Sequence, residues 1–115
     1  MYRAEFSKII KEDIDKAHNY IKETLQAPMA ADNLKKELLE QIESIKNNPY
    51  ARPLVQDKYL AYLGLRSKKV NNYLLFYKIK EPDNKGKKYV YLIRFMYGKR
   101  NWVKIFKNES INELM

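Results

Sequence analysis

The residues of this chain able to do chemistry are cations and phenols. Arg66, Lys68 and Lys69 form one group, Arg94 stands alone in an apolar run, and Lys99, Arg100 and Lys104 form a second group beside Tyr97 and Trp102. Arginine offers a planar fork that grips phosphate or carboxylate through paired hydrogen bonds, while lysine acts as a mobile point charge. Tyr97 and Trp102 could stack on nucleic-acid bases. Cutting RNA by attack of its own 2′-hydroxyl requires stabilised phosphate charge and proton transfer, which Arg66, Arg94, Tyr97, Lys99 and Arg100 could supply without histidine. Packing within a sheet competes for Tyr73, Tyr77, Tyr89 and Tyr91. For Arg66, Arg94 and Arg100 a solvated or protein-partner contact competes with a phosphate role.

Other chemistries lack their residues. The chain has one histidine and no cysteine, so a transition-metal cage, a disulfide and a thiol nucleophile have no ligands. His18 sits beside Ala17 in a helical stretch and reads as a surface or boundary residue. Gly64, Gly86 and Gly98 are too dispersed for a phosphate-binding loop. In the basic half the acids are Asp57, Glu81 and Asp83, and two of these fall in a turn, so paired-carboxylate hydrolysis has no basis. No metal and no cofactor is expected.

Charge is unevenly spread. Residues 7–48 carry 7 Lys/Arg against 8 Asp/Glu, whereas residues 49–107 carry 15 against 3, a net of +12 within a chain of net +9. A neutral scaffold followed by a basic, tyrosine-rich half points to a polyanion-facing surface, with nucleic acid, ribonucleoprotein or an acidic protein as partner. Solubilising charge is the plainer alternative. At 115 residues, 45% hydrophobic and 32% charged, the chain reads as one folded domain over 1–115. MYRAEFSKIIKED has no apolar run of signal-peptide length and no stretch approaches 18 apolar residues, so a cytoplasmic location without a membrane is expected.

The hydrophobic period gives the elements that must hold these groups. Tyr2–Phe6 alternates as an edge strand, and Ser7 makes a good N-cap. Ile10, Ile14, Ala17, Ile21 and Leu25 form a helical stripe. Pro28 suits the first turn of a second helix, whose buried side is Ala31, Leu34, Leu38, Ile42 (or Leu39) and Ile45, ending before Pro49. A short connection makes the two helices an antiparallel hairpin. Strands are then expected at Lys58–Arg66, Asn71–Ile79 and Tyr89–Tyr97, with a polar turn over Glu81–Lys88 and a bend at Gly98. Asn101–Phe106 reads as a last short strand or an irregular tail, and Asn108–Met115 as one or two helical turns. The expected fold is α+β, a small β-α-α-β-β-β domain whose mainly antiparallel sheet carries the helical hairpin on one face.

The order of these elements, together with NYIKETLQAPMAADNL, NNPYARP, RSKKVNNYLLFY and IRFMYGKRNWVKIF, resembles the RelE/ParE superfamily of bacterial type II toxins. The resemblance spans nearly the whole chain and rests on the ordered combination of segments. It implies an acidic cognate antitoxin as partner, and either mRNA on the ribosome (RelE kind) or DNA gyrase (ParE kind) as target. RelE-like enzymes place an arginine where this chain has Leu74, and a catalytic tyrosine where it has Phe106; the later arginine is present as Arg100. Phenylalanine transfers no proton. The resemblance therefore leans toward ParE-like action on gyrase, with RelE-like cleavage and a non-catalytic RNA-binding module as alternatives. Arg66, Lys68, Lys69, Arg94, Lys99, Arg100, Trp102 and Lys104 are the expected contacts to target.

Overall fold

The computed structural model describes residues 1–109. The chain begins with β1 (Arg3–Phe6), and Ser7 then caps α1 (Lys8–Asn19), its hydroxyl accepting from the Ile10 N–H at 3.0 Å. A π-helical turn, Tyr20–Thr24, follows; it leaves Leu25, expected on the buried stripe, exposed. Pro28 occupies the first turn of α2 (Pro28–Asn47), where its missing N–H is harmless. Ala31, Leu34, Leu38, Ile42 and Ile45 are all buried, and Leu39 is exposed. His18 sits where the two helices meet and bonds Asp32 of α2 at 3.0 Å.

The sheet has the order β1-β4-β3-β2, with β2 at Arg66–Val70, β3 at Tyr73–Lys80 and β4 at Tyr89–Tyr97. The three later strands run antiparallel, and β1 joins the edge of β4 in parallel. One face packs on the helical hairpin through Val70, Leu75, Tyr77, Val90, Leu92 and Phe95. The opposite face has its own core of Leu60, Leu65, Phe76, Ile93, Met96 and Phe106. Ile93 bulges out of the β3–β4 register, since Phe76 pairs with Arg94 and Tyr77 with Leu92. An inserted residue of this kind shifts the facing of the residues beyond it.

The second core corrects two expectations. Lys58–Arg66 is not a strand: Lys58–Tyr62 is a short helix, α3, capped by Asp57, whose carboxylate accepts from the Leu60 N–H at 3.0 Å. Gly64, at φ +91°, then reverses the chain into β2. Leu60 and Leu65 are buried while Tyr59 is exposed, so the apparent alternation of Tyr59, Ala61, Leu63 and Leu65 does not mark the buried side. Arg66, Lys68 and Lys69 accordingly lie within β2 rather than after a strand. Asn101–Phe106 is likewise neither strand nor tail: Asn101 caps α4 (Trp102–Asn108) by accepting from the Lys104 N–H. Trp102 and Phe106, four residues apart, face Phe76 with ring centroids 5.1 and 5.0 Å away. The turns expected over Asn108–Met115 lie, from residue 110, outside the described residues.

Beyond Leu92, β4 has lost β1 as a neighbour. The Ser7 N–H donates to the Leu92 carbonyl at 3.0 Å, and the Ser7 hydroxyl to that of Ile93 at 2.7 Å. Asp13 of α1 then accepts from the Phe95 N–H at 3.0 Å and clamps the Arg94 guanidinium through two bonds of 2.7 and 3.0 Å. Asp13 and Arg94 are both buried. Removing one partner of a buried pair leaves the other charge uncompensated, at about 3–5 kcal/mol. Asp13→Ala should therefore lower the unfolding free energy in urea by about that amount, whereas Ser7→Ala, losing a cap, should cost about 1–2 kcal/mol.

Candidate functional site

The turn from β2 to β3 and the turn after β4 lie at the same end of the sheet, because Tyr73 pairs with both Val70 and Tyr97. Asn71 adopts φ +53°, a left-handed conformation that asparagine tolerates, and this closes the first turn tightly. The Gly98 N–H donates to the Asn72 carbonyl at 2.7 Å, tying the two turns together. A side chain at residue 98 would place its Cβ only 3.2 Å from that carbonyl oxygen, which is why glycine suits the position. Lys69, Asn72, Tyr73, Leu74, Tyr97 and Lys99 line a pocket of about 250 Å³ here.

Next to it, a groove of about 660 Å³ runs between α1 with its π-helical turn and the end of β4. Tyr20, Ile21, Tyr73, Phe95 and Tyr97 form its walls, with Lys16 and Arg100 also lining it. The Tyr73 ring stacks on Phe95 at 5.0 Å and meets the Tyr97 ring edge-on at 5.8 Å. Burial, with Tyr20 and Tyr97 close by, raises the Tyr73 pKa above its ordinary value. That phenol stays protonated at neutral pH and serves no general base. The one carboxylate lining the groove, Asp13, is already engaged by Arg94 and Phe95, and no imidazole lines it. The groove therefore combines aromatic surface with fixed positive charge, a surface suited to binding and poor in groups for moving protons.

Lys69, Tyr97, Lys99 and Arg100 thus converge, and the other expected contacts lie elsewhere. Arg66, at the start of β2, donates to the Arg52 carbonyl and lies over the Tyr50 ring at 5.2 Å. Lys68 pairs in register with Leu75, further along the same strand. Arg94 faces no solvent: besides Asp13 it donates to Glu109, so it ties α1 to the segment beyond α4. Burial opposes its charge, but the hydrogen bonds to Asp13 and Glu109 raise its pKa further, and it stays a cation inside the fold. Trp102 is partly buried against Phe76 and Phe106, so its ring belongs to the second core. Lys104 is exposed on α4. Lys16 and Tyr20 were missed. They are four residues apart and exposed, Lys16 on α1 and Tyr20 at the start of the π-helical turn, where a tyrosine off the apolar stripe was the available signal.

A family model described as "ParE toxin of type II toxin-antitoxin system, parDE" matches residues 4–102. The chain belongs to this family. The match takes in all but the first residue of β1, everything from there through β4, and the turn carrying Lys99 and Arg100. No curated protein matches the chain. Among solved structures, a chain described as "Chromosomal ParDE TA system from P. aeruginosa" superposes with a TM-score of 0.66 at 14% identity, covering 84% of this chain and 96% of that one. At that identity the likeness is one of fold.

Phe106, which the sequence resemblance sets against a RelE-type tyrosine, is fully buried and edge-on to Phe76 at 5.0 Å. Phe106→Tyr should place a hydroxyl in an apolar core. The expected result is a loss of about 1–3 kcal/mol in a denaturant titration, and no RNA cleavage in a translation extract.

Proposed function

We propose that this ParE-family protein is the growth-inhibiting toxin of a cytoplasmic type II pair, and that it acts on DNA gyrase by binding rather than hydrolysis. The observation that carries the reading is the make-up of the groove at the Gly98 turn. It gathers Lys16, Lys69, Lys99 and Arg100 around Tyr20, Tyr73 and Tyr97, yet holds no free carboxylate and no histidine. Arg94, a candidate for phosphate stabilisation, has its guanidinium occupied by Asp13 and Glu109. Phe106 offers no proton. A surface of this kind favours an acidic protein segment, with tyrosines taking its apolar side chains and the cations its carboxylates. On this reading a cognate acidic antitoxin neutralises the toxin by covering the groove and its cationic rim.

Among the described residues no helix is long and apolar enough to cross a membrane.

Expression of the chain alone should arrest growth, and co-expression of the neighbouring acidic open reading frame should restore it. Pulse-labelling after induction should show DNA synthesis falling before protein synthesis, and the purified chain should inhibit supercoiling by gyrase. Immediate loss of translation with cut mRNA would replace this mechanism with ribosome-dependent cleavage. Arg100→Glu should weaken antitoxin binding by about tenfold or more, through loss of a cation and introduction of a like charge, read by calorimetry at two salt concentrations.

A further inference from the structure

A second group of cations lies at the other end of the sheet. Along β3, Tyr73 lines the groove and Lys80 lies about 23 Å away, at about 3.3 Å per residue. There the register aligns two cross-strand rows. Arg3, Tyr89 and Lys80 form one, and Glu5, Tyr91 and Lys78 form the other. Side chains of a strand alternate between faces, so Lys78 and Lys80 share the face of Phe76, the one lined by the second core. On that face the Lys78 stem lies 3.4 Å from the position a Gly64 side chain would take, in the turn after α3.

The neighbouring loop adds to this surface. Lys85, Lys87 and Lys88 are exposed, and the Asp83 carboxylate is turned onto its own loop, accepting from the Lys85 and Lys87 N–H groups at 2.9 Å each and from the Tyr89 hydroxyl at 3.5 Å. Those backbone bonds hold the Asp83 pKa below its ordinary value. Glu81 is exposed in the same loop. Lys80 bridges Glu5 at 3.4 Å and the Tyr91 ring at 4.6 Å, a part-exposed contact that a phosphate can replace.

We infer that this end of the sheet, with Tyr89 and Tyr91 flanked by Arg3, Lys78 and Lys80, binds single-stranded nucleic acid. Tyr89 and Tyr91 are both part-buried, Tyr91 packing on the edge of the second core with Lys80 over its ring, and the part of each ring left open can stack on a base. Lysines at the flanks suit the backbone, whose phosphates call for point charges without sequence preference. A duplex keeps its bases stacked on each other and gains only the charge contacts. The site lies apart from the groove, and its test is independent of gyrase or antitoxin.

The test is fluorescence anisotropy of the full chain with a labelled deoxythymidine 10-mer and with a duplex of equal length. The expected result is binding to the 10-mer at least about tenfold tighter than to the duplex. Its affinity should fall with salt at a log–log slope near −2, the value for about three neutralised phosphates on a single strand. Tyr89→Leu should weaken the 10-mer about tenfold, Lys78→Ser with Lys80→Ser should flatten the slope, and Arg100→Ala should change neither. The lysine pair, on the surface, decides the matter if Tyr89→Leu fails to fold. Equal binding of the duplex, equal competition by poly-glutamate, an unchanged slope in the lysine variant, or the loss appearing in Arg100→Ala instead would each overturn the inference.

Discussion

β4 continues for five residues after β1 has ceased to pair with it, and an open sheet edge inside a packed domain needs partners for its backbone groups. Those partners come from the helix that follows β1. Ser7 serves two carbonyls, and Asp13 serves the Phe95 N–H while neutralising Arg94. One carboxylate thus satisfies a strand edge, a buried cation and the placement of α1 against the sheet. The groove adjoins that attachment: Asp13 lines it, and its walls are the later part of this helix with the π-helical turn and the end of the same strand. Charge held inside the fold thus borders the charged surface outside it.

Much of this was legible in the sequence where the signal is local. Ser7 as cap, Pro28 in a first turn, the Ala31–Ile45 stripe and the β3–β4 hairpin all depend on neighbours within a few residues, and each stands in the structure as expected. The errors fall where a tertiary partner overrides the local pattern. Alternation through Tyr59–Leu65 has the period of a strand, yet a capping aspartate and a left-handed glycine fold it into a helical turn over Phe76. Trp102 and Phe106 have helical spacing, but the stretch is too short for its period to be distinguished from a strand's. Arg94 was counted among surface cations because its partner Asp13 is 81 residues away, in the half of the chain that reads as neutral. The convergence of Lys69, Lys99 and Arg100 required the tie between two turns, which no single segment reveals.

The basic half therefore does not form one continuous face. Part of its charge gathers at the Asn72–Gly98 turns beside exposed tyrosines, part at the β3–β4 loop, and Arg94 is internal. The two external groups occupy opposite ends of the longest strands, with an apolar core on either face between them. The two proposed binding surfaces therefore share no side chain.

The parallel pairing of β1 with β4 also governs how the chain comes together. Arg3 meets Tyr89 across 86 positions of sequence, whereas β2, β3 and β4 are sequential neighbours. Contacts this distant form late, after the loop-closure entropy between them has been overcome. The helical hairpin and the β2–β3 pair can both form before β4 is made, but β1 has no strand to join until then. β1 thus takes its place in the sheet only after β4, the strand it pairs with, has been made.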